Sequence, residues 1–180
     1  ELDPHVQFLR SFRENVVFNT FAGSEFMKAF NAWYYSFSPG VAAFIADNPA
    51  LREVTKAVLY PLIGILRTAT VTQEAFSFNN EVGIVMAGLV ASALIGAVYF
   101  APLTILMLIP ARRYVKSMSK VGWLRLLLVP WSLSIGLILT AEVIASPVLM
   151  MASTATFVIF TIALSSGTVA LIVHSKILCK

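Results

Sequence analysis

VGIVMAGLVASALIGAVYFAPLTILMLI, residues 82–109, is a run of twenty-eight residues without a formal charge. At about 1.5 Å of rise per residue, a helix of that length reaches roughly 40 Å, beyond the ~30 Å hydrocarbon core of a bilayer. A globular interior offers no apolar layer that deep, so the stretch is expected to cross a membrane. A second apolar block, residues 126–173, makes the same demand, and a tight turn at Ala145-Ser146-Pro147 divides it in two. Three spans are therefore expected, at about 82–109, 121–144 and 148–173.

Composition agrees. Of 180 residues, 58% are hydrophobic and 12% charged, with a mean hydropathy of +0.83, outside the range of ordinary globular domains. The net charge of +4 is unevenly distributed. Residues 1–81 carry six basic against eight acidic side chains, whereas residues 82–180 carry seven basic against Glu142 alone. Arg112, Arg113, Lys116 and Lys120, with Arg125 just beyond, sit between apolar runs, as cytoplasmic loops do under the positive-inside rule. That places the first loop and the C-terminal tail inside, and residues 1–80 together with the Pro147 turn outside. The expected architecture is an all-α membrane protein: an extracytoplasmic or interfacial helical domain over 1–80, then a three-span domain over 81–180.

Three features mark helix packing and surface. Gly88, Ser92 and Gly96 recur at four-residue spacing in the first span, the small-xxx-small pattern that lets helices approach closely. Arg125 must snorkel for the second span to cross. In the first half, Phe26, Phe30, Trp33, Tyr34 and Phe37 form an aromatic stripe at helical spacing. Two readings of that stripe stand side by side: a belt at the membrane interface, or a core face packed on neighbouring helices.

Proline and glycine punctuate residues 1–80. Asp3-Pro4, Ser38-Pro39 and Asn48-Pro49 each place a capping residue before a proline suited to a first helical position. Gly23-Ser24 reads as a stop and restart. The first helix is expected over about 4–19. Pro61 is expected to kink or end the helix that starts at Pro49, leaving 58–66 as a buried hairpin arm rather than a half-inserted segment. The polar stretch 67–81 reads as a connector.

No catalytic constellation is legible. The two histidines and the one cysteine fall on opposite sides of the expected topology, His5 outside and His174 and Cys179 inside, which argues against a metal site within one chain. There is no glycine-rich phosphate loop. The aromatics have no basic stripe beside them, so nucleic acid is not an expected partner. Neither a cofactor nor a small-molecule substrate is indicated. Glu142 lies close to the Pro147 turn and reads as an interfacial carboxylate rather than part of an ion path.

The segments VQFLRSFRENVV (6–17), FAGSEFMKAFNAWYYSFSPGVAAFIADNPALR (21–52) and LYPLIGIL (59–66) resemble the CFI-box C-terminal domain of archaeal and bacterial surface proteins. The resemblance covers roughly the first third of the chain. It implies an envelope location and a longer exported precursor, cleaved near a Cys-Phe-Ile box that this chain does not contain. The three-span extension is similar to versions from ammonia-oxidising archaea. By that analogy the expected role is a non-catalytic anchor or accessory subunit beside other membrane subunits, in a host such as an ammonia monooxygenase. The alternatives are an oligomeric channel or small transporter component using Glu142 and Arg125, and the membrane anchor of a cleaved surface protein.

Overall fold

The computed structural model describes residues 4–107 and 120–178, and among them there are helices and turns but no strand. Helix α1 is Pro4–Phe12, continued by a π-helical turn at Arg13–Val17. Helix α2 is Phe21–Ala46, α3 is Pro49–Ala75, and α4 is Asn80–Ile95, which runs on through a π-turn at Gly96–Phe100 as far as Met107. Helix α5 is Lys120–Ile144 and α6 is Pro147–Leu178. The chain is an all-α membrane protein.

Among the described residues, four helices are long and apolar enough to cross a membrane: Pro49–Ala75, Asn80–Met107, Gly122–Ile144 and Pro147–Val173. The three expected spans correspond to the last three, and α3 adds a fourth. Its most apolar stretch averages a hydropathy of 1.3, well below the 2.2 of Asn80–Met107, because Lys56 and Arg67 interrupt it. That dilution makes the segment read as soluble-like when it is scanned for uninterrupted apolar length.

The prolines do less than their local chemistry predicts. Helix α2 runs through Pro39 and α3 through Pro61, so neither begins nor ends a helix there. Each proline leaves one carbonyl a turn back without its donor. Breaking the helix within a bilayer would strand several backbone groups in lipid, which costs more. Asn48-Pro49 does open α3, with Pro49 in its first turn. Asp3 lies outside the described residues. The chain breaks at Phe18–Thr20 and not at Gly23-Ser24: Thr20 caps α2 through its hydroxyl, which accepts from the Gly23 N–H at 3.2 Å. The first helix loses its regular form at Phe12, short of Asn19. The expected connector is helical to Ala75, and the real turn is Phe76–Asn79.

The first eighty residues do not stand apart as a cap. Helices α3 and α4 pair closely as an antiparallel hairpin, tied far from their turn by the Tyr99 hydroxyl, which donates to the Val58 carbonyl at 2.6 Å. Helix α2 starts beside Glu81 at the turn end of that hairpin and is joined by two residues to the start of α3 at the other end. It must therefore run the length of the bundle. The division at residue 80 falls in a turn, but both sides of it belong to one packed unit. Helix α6 is the hub, in contact with α2, α4 and α5.

A cluster of buried apolar side chains sits near the α3–α4 turn end, where Val17, Ala22, Ile84, Ile138, Ala141, Met150 and Phe157 meet. Hydroxyls are buried too. Ser92, Ser134, Ser153, Thr154 and Thr161 each donate to a carbonyl three or four residues back, the local pairing that makes a hydroxyl tolerable without water. Trp131 Nε1 donates to Thr161 Oγ1 at 2.9 Å and its ring stacks on Phe157, joining α5 to α6.

The α5–α6 turn is closed by a left-handed residue. Ala145 has φ 53°, and the N–H groups of Ala145 and Ser146 return to the carbonyls of Glu142 and Ala141, the two bonds of a Schellman motif. A β-carbon at such a position costs about 1 kcal/mol. Ala145→Gly is therefore expected to raise stability by about 0.5–1 kcal/mol, read as a higher midpoint of unfolding in detergent.

Candidate lipid- and partner-facing surface

Helix α2 carries most of the chemistry that the exterior presents. Its first turn is fixed from two sides. Thr20 caps it locally, and the Glu81 carboxylate at the head of α4 accepts from the Phe21 N–H at 2.5 Å and the Ala22 N–H at 3.1 Å. A carboxylate at a helix N-terminus satisfies orphan donors and complements the helix dipole. The same stretch buries Ala22, Gly23 and Glu25, with Glu25 only 5% exposed and paired to Lys28 one turn on.

That anchoring turns the aromatic stripe outward. Phe26 is half-buried, whereas Phe30, Trp33, Tyr34 and Phe37 are exposed, Trp33 at 62%, and Tyr35 joins them at 61%. The rings stack along the helix instead of against the core: Phe30 on Tyr34 with centroids 5.8 Å apart, and Trp33 edge-on to Phe37 at 4.8 Å. Helix α1 approaches Phe30 and Tyr34 across an open groove but leaves both exposed, and Trp33 and Phe37 lie open as well, so the stripe is not a packed core face.

The small-residue pattern divides. A β-carbon on Gly96 would lie 2.6 Å from the Ile162 carbonyl oxygen and 3.0 Å from Ser165 Cβ, so this glycine is where α4 and α6 touch backbone to backbone. Ser165 Oγ donates to the Ala93 carbonyl at 2.6 Å across the same contact. Ser92 is buried at 2% exposed, its hydroxyl turned back to Gly88 and Leu89. Gly88 has open space where a β-carbon would go. Within this chain the close approach is thus made to its own last helix, at one end of the stripe.

The π-turn has a visible cause and consequence. Pro102, one residue beyond it, has no N–H to offer Val98, while the Ala101 N–H reaches back to Gly96. Tyr99 lies within the widened turn and makes the bond to α3.

Of the basic positions, Arg112, Arg113 and Lys116 lie outside the described residues. Lys120 opens α5 and Arg125 is exposed in its second turn. Glu142 is exposed at the opposite end of α5 from Arg125, about 25 Å away along the helix, so the two side chains do not meet. Among the described residues no three of His, Cys, Asp and Glu gather into a group able to hold a metal ion, and Cys179 lies outside them.

Sequence reasoning missed the Glu81 cap, the Ser165 crosslink and the Trp131–Thr161 bond. Each joins residues thirty or more positions apart, and none has a local signature. Comparison with known proteins leaves the arrangement to speak for itself: no protein-family model matches the chain, and neither the curated proteins nor the solved structures yield a match.

Proposed function

We propose that this chain is a non-catalytic membrane anchor or accessory subunit of a larger membrane complex. The observation that carries the reading is the outward aromatic face of α2, with Trp33 and Tyr35 more than half exposed. Helix α2 also carries Glu25, Lys28 and Asn31 and is not among the helices long and apolar enough to cross a membrane, so it suits a neighbouring protein surface better than bulk lipid. The envelope resemblance of the first third of the chain points the same way.

The orientation that fits has the basic end in the cytoplasm. Arg52, Lys56 and Lys120 belong to that end, while Glu74, Glu81 and Glu142 belong to the other. The α2–α3 link at Asp47-Asn48 then lies on the cytoplasmic side, although it sits within the half first read as wholly external. The α3–α4 turn at Phe76–Asn79 lies outside. In a Cys179→Ser background, Phe78→Cys should react with an impermeant maleimide added to intact cells and Asn48→Cys should not. Equal labelling of both overturns this orientation.

The functional reading is tested by mild-detergent purification of the native chain and mass spectrometry of what co-migrates. A defined partner in fixed ratio, released by a Trp33→Ala/Phe37→Ala double variant, is the expected result. A chain that migrates alone, as monomer or homo-oligomer, overturns it.

A further inference from the structure

Helix α1 and its π-turn lie against the first half of α2, and the two enclose an open groove of about 210 Å³. Its polar lining is Arg10, Arg13, Asn31, Tyr34 and Tyr35, an anion-binding set with aromatic walls. The arginines are incompletely used. Arg13 gives one Nη to Glu14 at 3.2 Å, but its Nε is buried without a partner. Arg10 is exposed and, among the described residues, has no carboxylate within ion-pair distance. The Arg13 side chain is otherwise 41% exposed, and the Nη groups of a guanidinium are shaped to meet the oxygens of a phosphate. Two arginines against the single Glu14 leave one positive charge, which matches one phosphodiester.

We propose that this groove holds the phosphodiester of a phospholipid headgroup, gripped by Arg10 and Arg13 and flanked by Tyr34 and Tyr35. The bilayer source follows from placement. The groove extends from Met27 to Tyr35, about 9 to 21 Å along α2 from its first residue, on a bundle whose long helices exceed the hydrocarbon thickness, and its Met27 end is the part nearest the headgroup layer. Arginine side chains snorkel from that depth to the headgroup layer, and Trp and Tyr favour the same layer. The inference needs only that the chain lies in a bilayer, so it stands or falls separately from the subunit reading.

The test is native mass spectrometry of the full chain released from nanodiscs of phosphatidylglycerol. One lipid per chain should survive delipidation. Arg10→Gln and Arg13→Gln should each lower its retention about tenfold, the scale of one charge-assisted hydrogen bond, while Arg52→Gln at the far end of the bundle should not. Among the described residues Arg10 has no ion-pair partner to lose, so its variant should unfold at the wild-type midpoint and report binding alone. Arg13→Lys keeps the charge without the planar guanidinium donors and should recover only part of the loss. Equal retention by wild type and both glutamine variants overturns the proposal, as does displacement of the lipid by inorganic phosphate at equal concentration, which would make the groove a site for the free anion.

Discussion

Gly96→Ala is expected to destabilise the chain by about 2–3 kcal/mol, a large effect for one methyl group. The added carbon would stand 2.6 Å from the Ile162 carbonyl oxygen and 3.1 Å from Ile162 Cα. Both are backbone atoms, so relief requires α4 and α6 to move apart as rigid bodies. That movement would also stretch the Ser165-to-Ala93 hydrogen bond, 2.6 Å in the structure. Gly88→Ala, two turns away in the same pattern, is the matched control. Nothing lies within 4 Å of its β-carbon position, and its expected effect is below about 0.5 kcal/mol. Equilibrium unfolding of both variants in mixed micelles measures the contrast. Equal effects would refute the assignment of the α4–α6 contact to Gly96.

Glu81→Ala comes second. The substitution frees the N–H groups of Phe21 and Ala22, at a helix start whose neighbours Val17, Thr20, Ala22 and Gly23 are all buried. Water cannot readily replace the carboxylate, so the cost is that of two unsatisfied donors plus a lost dipole interaction, about 2–3 kcal/mol. Glu81→Gln keeps one acceptor and should lose about half as much. Amide hydrogen exchange locates the effect. Protection should fall in the first turn of α2 and remain in α5 and α6, whereas a uniform loss would mean that Glu81 supports the whole bundle and not this cap.

The two results separate what is local from what is not. The length of the uncharged run at 82–109 and the apolar block at 126–173 carry their meaning within themselves, because a bilayer acts on each segment as a solvent. Those spans and the all-α class were legible in the residue order. The Asn48-Pro49 start was legible for the same reason, since a cap and its helix are neighbours in the chain. Pro39 and Pro61 misled because local proline chemistry assumes that a broken helix can turn to water for its hydrogen bonds. Residues 67–75 misled because threonines score poorly as helix formers, yet here Thr68, Thr70 and Thr72 return their hydroxyls to the preceding turn and the segment lies along α4.

By itself, then, the sequence determined that this chain is helical, that it belongs in a membrane, and which end of it is basic. Only the tertiary structure decided that α2 and α3 run beside the spans instead of above them. It alone turned the aromatic stripe outward, made Gly96 and not Gly88 the point of contact, and brought Glu81 to the head of α2. The physical reason is one of range. Transfer into lipid is summed residue by residue along a segment, whereas a cap, a backbone contact or a groove requires groups far apart in the chain to arrive within a few ångströms of each other.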